Sequence, residues 1–197
     1  MESMTLTLKE VKANLTTVDF TKLPKPARNK GGRGQLLELA LGIDSSSTRC
    51  GMVDVELKRF TQGESIAVTH LKHILPQNFA NIPNYRTKLG IKTQQTLFVG
   101  FDRDNNFIGS TTLTPESDPK HFEQLEQDFH DICDAILSAY YDKKELHTVT
   151  GRNGLLQIRT KDSKYKGKYH PIIWKGQQLS DKGFAFYLTG KFGRELL

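Results

Sequence analysis

The chain of 197 residues carries 28 Lys+Arg against 22 Asp+Glu, a formal net charge of +6, and 37% apolar residues. That length supports one domain whose core stands without disulfide or metal staples, and a mean hydropathy of −0.50 leaves no room for a membrane span. Two cysteines, Cys50 and Cys133, exclude a disulfide framework and point to a reducing, cytoplasmic setting, and the opening residues do not read as a secretory leader.

In chain order, residues 4–15 are expected to form a short helix, with Met4, Leu8, Val11 and Leu15 at helical spacing. Residues 16–34 read as a loop containing Pro24, Pro26 and three glycines, strongly basic through Lys22, Lys25, Arg28, Lys30 and Arg33. Within it, Gly31-Gly32-Arg33-Gly34 matches neither phosphate-loop spacing and reads as a flexible connector. Residues 35–41 are expected as a helix containing Glu38 and closed by Gly42, followed by a turn over 44–48.

Residues 52–60 alternate with strand period, Val53, Val55 and Leu57 on one face and Asp54, Glu56 and Lys58 on the other. Short apolar strands are expected at 65–69 and 97–101, the latter joined through residues 102–106 to a hairpin partner at 107–113. The clearest helix spans 119–141, with Ser117 or Asp118 as N-cap and Pro119 in its first turn. Phe122, Leu125, Phe129, Ile132, Ile136 and Tyr140 form its apolar face. Glu123, Glu126, Asp131 and Asp134 read as a solvated face. Strands at 155–160 and 184–188 and a last helical turn at 191–197 complete a mixed α and β chain.

The charge is unevenly placed. Residues 151–197 hold ten basic side chains and three acidic ones, a surplus of seven, while the first 150 residues are nearly balanced. A concentrated basic surface is the footprint of a nucleic-acid or anionic-membrane partner, although a solvated lysine-rich surface has the same composition.

The most informative residues are Asp54-Val55-Glu56-Leu57-Lys58. In a strand, Asp54, Glu56 and Lys58 share a face at intervals of about 7 Å. Carboxylate oxygens are the ligands Mg²⁺ prefers, and a site often needs only one or two of them plus substrate phosphate. A neighbouring lysine can orient water and offset charge on a phosphorane-like transition state. An ordinary strand with a polar outer face fits the same five residues when taken alone. The preceding helix acid, Glu38, and the basic C-terminal quarter add what a metal-dependent nuclease needs.

The segment from Asn29-Lys30-Gly31 through Gly34-Gln35-Leu36-Leu37-Glu38-Leu39-Ala40-Leu41-Gly42, followed by Val55-Glu56-Leu57-Lys58, resembles the MutH family of DNA endonucleases. That family includes mismatch-repair nickases and type II restriction enzymes and belongs to the PD-(D/E)xK nuclease superfamily. Arg86-Thr87-Lys88-Leu89 resembles a family segment bearing a further active-site lysine. The 117–141 helix, then Leu155-Leu156-Gln157-Ile158-Arg159 with Lys161, resembles the family's C-terminal lobe in order and spacing, and Gly183 and Phe186-Tyr187-Leu188 with the following Lys191-Phe192 resemble its closing strand.

The resemblance implies an α/β restriction-endonuclease-like core, a central mixed sheet flanked by helices, with two lobes forming a DNA cleft. Residues 1–197 would be a single domain, roughly 1–115 catalytic and 116–197 gripping DNA. It implies Glu56 as a metal-binding carboxylate, Lys58 as the catalytic lysine, Glu38 as a supporting helix acid and Lys88 as a phosphate-directed lysine. It further implies Tyr187 facing a base in the major groove. Arg159 and Lys161, together with Arg152 and Lys191 of the same basic lobe, would contact the duplex. The family's first catalytic aspartate has no counterpart at the usual offset, where Thr48-Arg49-Cys50-Gly51 stands. Asp54 is the nearest substitute, joining Glu56 and Glu38 as metal ligands, and Asp44 is a more distant candidate.

The expected activity is Mg²⁺-dependent cleavage of double-stranded DNA at a short specific sequence. A type II restriction role is favoured, with a cognate DNA methyltransferase acting on the same sites and no membrane partner. A methyl-directed mismatch-repair nickase and an inactive DNA-binding relative are the alternatives.

Overall fold

The computed structural model describes residues 6–23, 32–43, 55–74, 83–161, 164 and 166–197. Among them are six α-helices and nine strands in three sheets, a mixed α+β chain. It clusters into two compact units, the first made of Met1–Gln62, Gln95–Leu113 and Leu196–Leu197, the second of Gly63–Gln94 and Thr114–Glu195. No described helix is long and apolar enough to cross a membrane.

The first unit is built on strands β1 (Glu56–Thr61), β3 (Thr96–Phe101) and β4 (Phe107–Thr112). β3 is central, buried throughout, parallel to β1 and antiparallel to β4. A parallel pair cannot be closed by a tight turn, so the chain leaves after Thr61 and returns only at Thr96, and residues 63–94 belong to the second unit. β3 and β4 form the expected hairpin. Asp102 organises its turn by accepting from the amides of Asp104 and Asn106, both at 2.8 Å.

Helices α1 (Leu8–Leu15) and α2 (Gly32–Ala40) belong to the same unit. Val11, Leu15, Leu37, Leu41 and Ile43 form a core cluster with Leu97, Val99 and Phe101 of β3, and Leu57 of β1 packs against it. α1 starts at Leu8, later than the apolar spacing predicts, because Thr7 and Glu10 close a capping box that fixes the first turn. Met4 lies outside the described residues. α2 starts three residues earlier than expected: Gly32 and Gly34, read as connector, are helical. Packing of Leu37 and the closed C-terminus outweigh the low helix propensity of glycine. At that end Ile43 N–H donates to Glu38 at 2.8 Å and Gly42 N–H to Leu39 at 3.0 Å, with Gly42 at φ 78°. This double bond pattern requires a left-handed residue, which glycine supplies without strain.

The second unit holds an antiparallel sheet of order β2-β9-β6-β5, from strands β2 (Ile66–His70), β5 (Val149–Thr150), β6 (Leu156–Lys161) and β9 (Gly183–Leu188). Helix α5 (Pro119–Tyr141) has the predicted bounds, with Asp118 as its cap. Its buried stripe includes Phe129, whose ring stacks on Phe186 of β9 at 5.8 Å. Leu156 and Ile158 of β6 and Phe184, Phe186 and Leu188 of β9 are buried, so the alternate residues Gln157, Arg159, Lys161, Ala185 and Tyr187 take the face away from α5.

Short helices α3 (Leu71–Ile74), α4 (Leu89–Gln94) and α6 (Gly190–Leu196) complete the set. A hairpin of β7 (Ile172–Trp174) and β8 (Gln177–Ser180) was not expected from the sequence. Its two-residue turn, Lys175-Gly176, has positive φ at both positions, the geometry that matches strand twist.

Candidate active site and nucleic-acid face

Glu56 opens β1 and Lys58 follows two residues on, so both leave the strand on one side while Leu57 turns into the core. Their side chains meet, Lys58 Nζ to Glu56 Oε1 at 2.6 Å, and both stay partly open to solvent, 26% and 35% exposed. Glu56 is held in register by its own N–H donating to Gln95 at 2.7 Å. The expected strand 52–60 begins only at Glu56: Val55 is described but not part of the strand, and Asp54 and Asp44 lie outside the described residues.

Glu38 sits on α2, whose C-terminal lock holds it in place. Burial raises its carboxyl above the usual carboxylate range. Lys58 counteracts this, and the neighbouring charge of Glu56 adds to it. The structure thus brings Glu38, Glu56 and Lys58 into one electrostatic neighbourhood. A half-buried carboxylate with a second one close enough to oppose its ionisation is a donor set suited to a hard divalent cation. Among the described residues, no group of three or more His, Cys, Asp or Glu is arranged to hold a metal ion. Glu38 and Glu56 can supply two oxygen donors. A cavity of about 460 Å³ in the same unit, lined by Phe20, Leu36, Arg59, Phe101 and Asn105, includes none of these three residues.

Lys88 lies in the second unit, exposed in the turn before α4. In this unit Arg159 and Tyr187 come together: the guanidinium lies 3.9 Å above the tyrosine ring and donates to Ser65 Oγ at 2.9 Å. Register explains the pairing, since Arg159 is one step beyond the Gln157 that faces Tyr187 across the β6–β9 ladder. On the same face Gln157 donates to Thr150 Oγ1 at 2.7 Å. Lys161 is half-buried at the strand end.

Two other predicted contacts are engaged within the fold. Arg152 makes a two-pronged pair with Asp131, with Nη2 to Oδ1 at 2.6 Å and Nε to Oδ2 at 3.0 Å. Lys191 Nζ donates to the Asn153 carbonyl at 2.8 Å. Both side chains are more than half exposed, so their charge still faces solvent. The acids of α5 read as a solvated face are corrected in part: Asp131 holds Arg152, and Glu126 holds Arg86 at 3.2 Å.

Sequence reasoning missed Asp128. It lies within the apolar stripe of α5, fully buried, and accepts from the amides of Asn153, Leu155 and Leu156. An acid among apolar helix positions was the available signal. No protein-family model and no curated protein matches the chain.

Proposed function

We propose that the chain is a Mg²⁺-dependent, sequence-specific endonuclease of double-stranded DNA, most simply a type II restriction enzyme, with a restriction-endonuclease-like core. The observation that carries this reading is the Glu56–Lys58 pair on β1 with the half-buried Glu38 beside it. The β1-β3-β4 sheet, parallel on one side and antiparallel on the other, is compatible with such a core. The resemblance of the segments around Glu38 and Glu56 to MutH-type nucleases supplies the reaction class.

Glu56 and Glu38 would hold Mg²⁺, with Asp54 or Asp44 as the proposed third oxygen donor. The ion, when bound, supplies positive charge to a phosphate oxygen and makes a water more acidic. Lys58, oriented by Glu56, places its ammonium where negative charge develops on the phosphate. A water gives up a proton as its oxygen bonds to phosphorus, the opposite P–O bond breaks, and the departing oxygen takes up a proton. The Tyr187–Arg159 stack and Gln157 present donors and a ring suited to base edges, while Arg152, Lys161 and Lys191 fit backbone phosphates. Lys88 remains the proposed additional phosphate-directed lysine.

The test is cleavage of a plasmid panel by wild type, Glu56→Gln and Lys58→Met. Wild type should give discrete double-strand fragments, and each variant should lose about 100-fold or more in rate. Intact DNA with wild type, or equal cutting by all three, overturns the reading. Open circles in place of linear products indicate the nickase role. Asp54→Ala and Asp44→Ala, run in parallel, identify the third acid.

A further inference from the structure

The sheet face away from α5 carries a cluster of cations of which the proposed base and phosphate contacts use only Arg159 and Lys161. In the β2–β9 and β9–β6 ladders, His70 faces Ala185 and Ala185 faces Arg159. His70 and Arg159 therefore flank one small side chain. One step along, Lys161 faces Gly183. His170 covers that glycine: its carbonyl oxygen is 3.2 Å from where a Cβ would stand, and its own Cβ is 3.8 Å away. His70, Arg159, Lys161 and His170 are thus gathered around the buried Ala185 and Gly183. Just beyond β2, Lys72 and His73 extend the cluster, and the rings of His70 and His73 lie 6.0 Å apart, edge to face.

The charges acting on His70 are Lys161, Lys72, His73 and His170, and all of them oppose its protonation. Burial acts in the same direction and is the larger effect, so the His70 imidazole titrates below its ordinary value. Burial and then Lys72 and Lys92 do the same to His73. Cations clustered on one sheet face are suited to a phosphate. A bound phosphate reverses the balance on His70, because an adjacent anion favours the charged imidazole.

We infer that His70 and His170, with Lys161 and Lys72, form a proton-linked site for a backbone phosphate of duplex DNA. The inference rests on the DNA-binding reading above and extends its Lys161 phosphate contact with His70, His170 and Lys72. Binding at this site takes up a proton, so affinity rises as pH falls. It also adds a cation–phosphate contact at low pH.

The experiment is fluorescence anisotropy of a labelled DNA duplex with the full chain, in EDTA to prevent cleavage, over a salt series at two pH values. Wild type should bind roughly tenfold more tightly near pH 6 than near pH 8. Its salt slope should be steeper by about 0.9 at the lower pH. His70→Gln should flatten the pH dependence, and Lys161→Gln should reduce the salt slope at both pH values. His130→Gln, an exposed histidine on α5, should behave as wild type. Circular dichroism confirms that each variant is folded. Binding that is equal at both pH values, or a full pH dependence in His70→Gln, overturns this inference and leaves the DNA-binding reading standing. Absence of duplex binding at both pH values overturns both.

Discussion

Replacing Asp128 with alanine should be among the most damaging single changes in the second unit. Its carboxylate is fully buried and accepts the amides of Asn153 at 2.7 Å, Leu155 at 2.8 Å and Leu156 at 2.9 Å. It therefore ties α5 to the turn that leads into β6. Leu155 and Leu156 are 1% and 0% exposed, so water cannot readily take the place of the lost acceptor. A stranded buried donor costs about 1–3 kcal/mol, and Asn153 is only partly buried, which together place the loss at about 4 kcal/mol. In a chain of this size each kcal/mol shifts Tm by about 2–4 °C. Asp128→Asn retains one acceptor oxygen but turns an NH₂ towards backbone donors, so it should lose about half as much. Urea and thermal unfolding of both variants, with the exposed Asp134→Ala as a control on the same helix, measure this directly. An Asp128→Ala protein within about 1 kcal/mol of wild type would show that the carboxylate does not hold this turn.

Gly151→Ala places a methyl group on the Cα, Cβ and Cγ of Asp128, an overpacking that should cost about 1–3 kcal/mol in the same unfolding assay. Thr7→Ala removes the side chain that accepts the Glu10 amide and donates to the Glu10 carboxylate at 2.8 Å. A loss of about 1 kcal/mol is expected, read as a fall in Tm. His121 sits between Asp118 Oδ2 at 2.6 Å and Glu195 Oε2 at 2.9 Å, with Lys191 Nζ 3.9 Å from the same Glu195. Burial disfavours its charge, but the two carboxylates prevail and the imidazole titrates above its ordinary value. Its contribution is therefore complete below about pH 6.5 and fades as pH rises through the higher folded value. Melts of wild type and His121→Gln should differ most in acid and converge in alkali, and a constant difference across the range contradicts the double anchor.

The readable parts of the chain were those whose signal is local. The α5 stripe and its Asp118–Pro119 start repeat with helical period. The Phe101–Phe107 hairpin is marked by its Asp- and Asn-rich turn, and alternation alone places Glu56 and Lys58 on one side of β1. Glycines at 32 and 34 misled because a helix held further along, by the packing of Leu37 and its closed C-terminus, tolerates residues in its first turn that local propensity rejects. The stacking of Arg159 on Tyr187, and the placing of His70 and Arg159 on either side of Ala185, depend on strand register between segments far apart in sequence. Asp131 and Glu126 read as solvated because their arginine partners, Arg152 and Arg86, lie 21 and 40 residues away.

The most direct test of the central claim is incubation of supercoiled DNA carrying diverse sequence with the wild-type chain, once in Mg²⁺ and once in EDTA. Discrete double-strand fragments that appear only with Mg²⁺ are the predicted result. DNA left intact in Mg²⁺, or cut equally in EDTA, would contradict the assignment of Glu56, Glu38 and Lys58 as a metal-dependent nuclease centre.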